Sequence, residues 1–223
     1  RLGLSPKSVK SYLAMGHLYA YQRDFASAEA FYRKAREVDG GSVETLIALG
    51  NYYRLMDRLE EAEQVYREAR RLRPDQANLH ILLGDLHTLL GKGEEGIQDY
   101  LEALRLQPRS GLLKKKVSKA YLSMGMPDRA LPFLKEILEE SPGSAEVRLL
   151  LGKAYLAKND LGQAMEEFQR LLSRDLSDDQ GHYHLGLDYL AIRSLPLAQR
   201  ELLEALRLNP GLSPARLALA DLY

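Results

Sequence analysis

VETLIALGNYYRLMDRLEEAEQVYREARRLRPD, Val43 to Asp75, is followed one residue later by ANLHILLGDLHTLLGKGEEGIQDYLEALRLQPR, Ala77 to Arg109. Laid over one another at a shift of 34, they match Gly50 with Gly84, Tyr66 with Tyr100, Ala69 with Ala103 and Pro74 with Pro108. The same shift carried along all 223 residues lines up Gly16, Gly50, Gly84, Ser118, Gly152, Gly186 and Ala220 without an insertion or deletion. Such a fixed period marks an array of structural repeats.

Further columns keep the phase. Three residues after the glycine column come Tyr19, Tyr53, His87, Tyr121, Tyr155, Tyr189 and Tyr223, and nine beyond those Ala28, Ala62, Gly96, Ala130, Ala164 and Ala198. Tyr32, Tyr66, Tyr100, Leu134, Phe168 and Leu202 form another column, and Ala35, Ala69, Ala103, Ile137, Leu171 and Ala205 the next. The copies close on Pro6, Gly40, Pro74, Pro108, Pro142, Leu176 and Pro210.

These columns predict two helices per copy. A small residue lets the first helix approach its neighbour, the tyrosine one turn later fills the adjoining gap, and the alanine column does the same on the second helix. Proline then stops the second helix, because it lacks an N–H and restricts the residue before it. The links at Gly40 and Leu176 are expected to be looser. Turns are expected near residues 23 to 25 and at every 34th residue after, with Pro196 tolerated in a first helical turn. Pro132 lies deeper, so its helix is expected to start late or kink.

The pattern resembles the tetratricopeptide repeat, which has this period and these columns. The resemblance covers essentially the whole chain and implies an all-α, right-handed superhelical solenoid of two-helix repeats. In that frame six full copies run 9–42, 43–76, 77–110, 111–144, 145–178 and 179–212, and 213–223 is the truncated first helix of a seventh. Leu2, Leu4 and Pro6 repeat the spacing of Leu206, Leu208 and Pro210, so residues 1–8 read as the tail of a preceding copy. The expectation is a piece of a longer array, since neither end has a polar capping repeat.

Composition narrows the function. A chain 45% hydrophobic and 28% charged is expected to fold, and 31 basic against 31 acidic residues argues against nucleic acid as the partner. Any basic function must be local. The absence of cysteine excludes disulfides and thiolate metal sites and leaves the compartment undetermined. No apolar run approaches the roughly 20 residues that span a bilayer, and no signal peptide opens the chain, so it reads as soluble with no membrane insertion.

Chemical lookalikes are few. GKGEEG, Gly91 to Gly96, matches a dinucleotide-binding glycine pattern, but that motif needs a strand before it and a helix after it. Here Gly91 and Gly93 fall in a predicted turn and Gly96 in the alanine column. His80 and His87 sit on packing columns, and His182 and His184, two apart, point to different faces. No nucleophile motif, Walker loop or metal-binding helix is present. The chain is read as no enzyme, with no metal and no cofactor.

In the tetratricopeptide family the first helix of each copy lines the concave face, and residues at spacings of three and four look into the groove. In copy four that stripe reads Leu112, Lys115, Lys119, Leu122, beside Lys114 and Lys116; in copy five it reads Glu146, Leu149, Lys153, Leu156. Copy two offers Glu44, Ile47, Asn51 and Arg54, and copy six Gln180, Tyr183, Leu187 and Leu190. Expected groove residues are therefore Asn51, Arg54, Lys115, Lys119, Leu122, Leu149, Lys153, Leu156 and Tyr183. Tyr21 and Tyr52 join Tyr183 as tyrosines outside the packing columns and as candidates for partner contact. Lys114 occupies a packing column, with its stem on apolar surface and its amine in water.

Some family members clamp a chaperone's terminal carboxylate with lysine, asparagine and arginine on successive first helices. Lys115 matches the first lysine of that clamp, but Lys119, Leu150, Gln180 and His184 depart from the rest, so the specific clamp is not expected. The asparagine ladder of the sugar-transferase relatives is missing as well. The resulting expectation is a non-catalytic scaffold that holds a protein or peptide segment, acidic or carboxylate-ended near copies four and five. The alternatives are a self-assembling structural protein that associates through open array ends, and the regulatory arm of a larger enzyme or secretion component.

Overall fold

The computed structural model describes residues 8–222. The readings placed on Leu2, Leu4, Pro6 and Tyr223 lie outside the described residues. Thirteen helices and no strand are found among those described. They are α1 (Val9–Tyr21), α2 (Phe25–Val38), α3 (Val43–Leu55), α4 (Leu59–Leu72), α5 (Ala77–Leu89), α6 (Gly93–Leu106), α7 (Gly111–Ser123), α8 (Pro127–Glu140), α9 (Ala145–Ala157), α10 (Leu161–Leu172), α11 (Asp179–Ala191), α12 (Leu195–Leu208) and α13 (Ser213–Ala220). The fold is all-α and of the repeat-solenoid class.

The chain divides into two compact units, Arg1–Leu113 and Lys114–Tyr223. In the first, α1 packs on α2, α3 on α4 and α5 on α6, and each pair stacks on the next through α2 with α3 and α4 with α5. In the second, α9 packs on α10 and α11 on α12; α8 meets α9, α10 meets α11, and α13 closes against α12.

The turn inside each pair has one backbone solution. Arg23, Asp57, Gly91, Gly125, Asn159 and Arg193 all take φ between 57° and 70°. The N–H of the following residue then bonds the carbonyl five back, as in Asp24 to Tyr19 at 2.9 Å, Lys92 to His87 at 2.8 Å and Ser194 to Tyr189 at 2.8 Å. This left-handed cap satisfies carbonyls that the helix end leaves open. Ser8, Asp24, Ser42, Ser144, Asp160 and Asp178 cap the helices that follow them, each side chain accepting from the N–H three residues on.

The glycine column works by a different partner than its tyrosine neighbour suggests. A Cβ on Gly50 would stand 2.3 Å from the ring of Tyr66, one on Gly84 2.6 Å from Tyr100 and one on Gly152 2.4 Å from Phe168. The gap is filled by a side chain of the second helix, an aromatic ring at these three and Leu202 at Gly186, packed against bare backbone. In copy four Ser118 replaces glycine, and its hydroxyl donates to the Lys114 carbonyl at 2.8 Å. The alanine column from Ala28 to Ala198 is fully buried.

The late start expected of α8 and the looser link expected at Gly40 are corrected. α8 starts at Pro127, in register with its siblings, and runs through Pro132 to Glu140. Its adjustment is at the first turn, where the Arg129 N–H bonds the Met126 carbonyl three residues back; at that place α2, α4, α6, α10 and α12 bond four residues back, as Ala28 does to Asp24. At the link closed by Gly40, Asp39 is extended like the residues before the prolines. At Leu176 the change is real: α10 ends at Leu172, and Ser173 stays in the right-handed helical region. Pro196 sits in the first turn of α12 as expected.

Candidate binding face on the first helices

In the first unit the groove column is tied to the second helices. The Tyr66 hydroxyl donates to Asn51 Oδ1 at 2.6 Å and Tyr100 donates to Asp85 Oδ1 at 2.6 Å, while Tyr32 meets His17 Nδ1 at 2.9 Å. Burial drives the Tyr66 hydroxyl up to about 12, against the opposing charge of nearby Arg54, so the hydroxyl stays a donor. Asn51 and Arg54 are exposed on α3, and the amide oxygen of Asn51 serves this internal bond.

On α7 and α9 the same column holds Lys119 and Lys153, and the second-helix residues beneath are Leu134 and Phe168, which have no hydroxyl to offer. Lys115 Nζ and Lys119 Nζ both donate to the carboxylate of Glu146, each at 2.6 Å. Those bonds hold the Glu146 carboxyl below the usual carboxylate range. Lys153 has no ion-pair partner among the described residues. With Lys119, Leu122, Ser123, Leu150 and Ala157 it lines an open cavity of about 380 Å³ between the two helices. Three expected site residues, Lys119, Leu122 and Lys153, are thus brought together. Leu149 and Leu156 are half-buried on α9.

Other expected residues go elsewhere. Tyr183 packs with the cluster of Leu202, Ala205 and Ala215 and lies 4.8 Å, ring to ring, from His184. Tyr52 is not a surface residue. It is 4% exposed and its hydroxyl donates to the Phe25 carbonyl at 2.8 Å, which removes it as a partner contact. Tyr21 is exposed. The Lys114 amine does not end in water but between Glu136 and Glu140 on α8, at 3.1 Å from each.

Two site residues escaped sequence reasoning. Glu146 was visible in the stripe, yet nothing in one dimension shows that its carboxylate reaches both lysines of the preceding copy. Leu150 was noted only as a departure from a clamp, although an apolar residue there is the wall of the cavity. A larger cavity of about 800 Å³ lies on the second-helix side, lined among others by Leu172, Leu176, Leu185 and Leu203. Its charged groups pair with one another: His182 and Arg200 with Glu201, and Arg207 with Glu204. It therefore offers no unmatched charge, and the smaller cavity is the better candidate despite its size.

The glycine-rich lookalike is a helix turn. Gly91 supplies the left-handed residue, Gly93 starts α6, and the backbone of Gly96 lies against the carbonyl of Gly84. His80 and His87 are buried core groups, His80 Nε2 lying 2.9 Å from the Pro74 carbonyl and His87 between Asp99 and Glu63.

Three models of the tetratricopeptide repeat match the chain, over residues 8–75, 47–110 and 121–185. The chain belongs to the tetratricopeptide-repeat family. Proteins of this family bind protein or peptide partners and are in general non-catalytic scaffolds. Among solved structures, YrrB, described as a TPR protein with an unusual peptide-binding site, is 22% identical with a TM-score of 0.68, over 84% of this chain and 96% of its own. PilF of Pseudomonas aeruginosa is 19% identical with a TM-score of 0.69, over 96% and 97%. A tetratricopeptide repeat protein of Parabacteroides merdae is 16% identical with a TM-score of 0.70, over 96% and 98%. At these identities the likeness is one of fold. A sequence search of curated proteins finds no match. Among the described residues no helix is long and apolar enough to cross a membrane.

Proposed function

We propose that this tetratricopeptide-repeat chain is a non-catalytic scaffold whose first-helix face holds a protein or peptide segment, with an acidic or carboxylate-bearing part seated against α7 and α9. Its copies are taken as 9–42, 43–76, 77–110, 111–144, 145–178 and 179–212, with 213–223 opening a seventh. The observation that carries the reading is the cavity between α7 and α9, where Lys119 and Lys153 stand beside Leu122 and Leu150. Apolar walls with a few placed charges are what peptide grooves use, the apolar part supplying affinity and the charges orientation. The described tyrosine hydroxyls occupy the groove column only in the first unit, so the lysines of the second keep their donors for other acceptors.

The charge contribution is bounded. Exposed ion pairs contribute roughly 0.2 to 1 kcal/mol each, so three lysines supply at most about 3 kcal/mol, on the order of a hundredfold in affinity. The test is the triple change Lys115→Glu, Lys119→Glu and Lys153→Glu, with affinity measured by fluorescence anisotropy for a labelled peptide alternating leucine and glutamate. The expected result is a loss of about ten- to a hundredfold at low salt that shrinks at high salt. Unchanged affinity at low salt would return these lysines to the role of a solvated helix face.

A second reading, self-association, is favoured by one observation. Leu217 on α13 is 68% exposed although Ala215, two residues earlier, is fully buried against α12. An exposed apolar side chain favours association. Light scattering across a concentration series distinguishes this reading, which requires a mass that grows with concentration.

A further inference from the structure

Glu146 stands in an unusual position for a groove residue. Its carboxylate reaches Lys115 and Lys119 at 2.6 Å each, 31 and 27 residues away along the chain, and so spans from α9 back to α7. One negative charge faces two positive ones, and the half-buried Lys153 stands on the same helix, lining the cavity beside Lys119. The arrangement is therefore a cationic seat with a carboxylate already in it.

Nothing locks that carboxylate in place. The side chains of Glu146 and Lys119 are 49% and 51% exposed and that of Lys115 is 26% exposed. Ion pairs at such exposure are worth little, and exposed side chains change rotamer in picoseconds to nanoseconds. Contrast the buried pair of Arg148 with Glu167 on α9 and α10, where the arginine also donates to the Pro142 carbonyl and both partners are shielded from water. That pair holds the fold together; the Glu146 contacts are exchangeable.

We propose that Glu146 is a built-in competitor: its carboxylate occupies the two-lysine seat on α7 that a carboxylate of the bound segment takes, and it keeps the resting affinity for acidic segments low. The inference rests on the reading of this face as a carboxylate-binding surface and adds its regulation. A segment that brings its own carboxylate displaces Glu146 without leaving any lysine unpaired, so exchange is rapid, and selection falls on segments whose apolar residues also fill the cavity beside Leu122 and Leu150. A modest competitor of this kind sets a threshold against isolated acidic groups.

The experiment uses the full chain, the labelled leucine–glutamate peptide as probe, and the variant Glu146→Gln. Glu139→Gln is the control, because Glu139 is exposed on the second helix α8, outside the first-helix face, and makes no ion pair among the described residues. Removing the competitor is expected to tighten probe binding roughly three- to tenfold at low salt. The control stays at the wild-type value, and adding Lys115→Ala and Lys119→Ala to the Glu146 variant cancels the gain. Circular dichroism melts establish that each variant is folded. Equal binding by wild type and Glu146→Gln, with the lysine changes still weakening the wild type, overturns the competitor and leaves the binding face standing. An equal gain in Glu139→Gln overturns it too, since net charge alone then accounts for the effect. Binding indifferent to both Glu146 and the lysines, or no binding at all, overturns both.

Discussion

The packing of α4 with α5 and α6 and the packing of α10 with α11 and α12 lie three repeat lengths apart and share a backbone plan, yet their chemistry is opposite. In the first, Glu63 is half-buried, which by itself raises its pKa, but hydrogen bonds from Lys92, Arg67 and His87 win and hold it at about 2. Asp99 accepts from Arg70 at 2.8 Å and pairs with His87 at 2.6 Å. Every one of these charges has a counterpart, and the hydrogen bonds strap α4 to α6. In the second, the place of Leu82 is taken by His184 and that of Leu86 by Asp188. Asp188 is wholly buried, and among the described residues neither of its oxygens nor either ring nitrogen of His184 has a hydrogen-bonding partner. The place of Arg70 is taken by Leu172, on the wall of the larger cavity. A repeat fixes where side chains point, and leaves open whether the groups placed there satisfy one another. Because repeat arrays are stabilised neighbour by neighbour, the second junction bears its own cost.

The largest expected effect breaks the strapped junction. Asp99→Ala leaves Arg70 and the buried His87 without their shared carboxylate and should cost about 3 kcal/mol, read from the urea midpoint. A loss under about 1 kcal/mol would mean that the straps add little and that the two junctions differ only in appearance.

The unsatisfied junction should respond in the opposite direction. Asp188→Ala, which places there the residue found as Ala120 and Ala154 in the two preceding copies, is expected to stabilise by about 2 kcal/mol at pH 8. Burial raises the Asp188 carboxyl to about 7, above its ordinary value in the unfolded chain. The cost of ionising it in the fold is therefore absent below about pH 4, grows between about pH 4 and 7, and is complete above. His184 works the other way, because burial and then Lys153 lower it to about 4. It is neutral and costless above its ordinary value near 6.5, and it weakens the fold as pH falls from there towards 4. Urea titrations at pH 4.5, 6 and 8 should show the gain from Asp188→Ala shrinking with acid and that from His184→Leu growing. A pH-independent gain for either would assign the effect to packing.

The smallest effect compares the two turns. Gly91 and Arg193 hold the same left-handed position, at φ 70° and 59°, and a Cβ on Gly91 would touch nothing. Arg193→Gly should stabilise by about 1 kcal/mol and Gly91→Arg destabilise by a similar amount, since only backbone conformation separates them. Unequal magnitudes in the two melts would show that the arginine side chain contributes at its own site.

Much of this was legible in one dimension because a 34-residue period repeats every local preference six times. Helix starts at Val9, Val43, Ala77, Gly111, Ala145, Asp179 and Ser213 follow that period residue for residue, and one column of small residues predicts one close approach in each copy. The late start expected from Pro132 did not occur, because the first turn of α8 tightens, with Arg129 bonding three residues back to Met126, and no periodicity records that. Tyr52 was misread because it falls outside the strongest columns and is buried by a neighbour, Tyr32, whose ring lies 5.4 Å away.

The candidate face divides along the same line. Which residues lie on the first helices, that lysines concentrate at Lys115, Lys119 and Lys153, and that leucines alternate with them are properties of spacing on a helix, and the sequence by itself determined them. That Glu146 sits between two lysines, that Tyr66 reaches Asn51, and that Asp188 has no hydrogen-bonding partner among the described residues were decided only in the tertiary structure. The physical reason is range: helical periodicity orders neighbours three and four residues apart, whereas hydrogen bonds and ion pairs of about 3 Å join side chains from different helices, and a shift of one rotamer makes or breaks them.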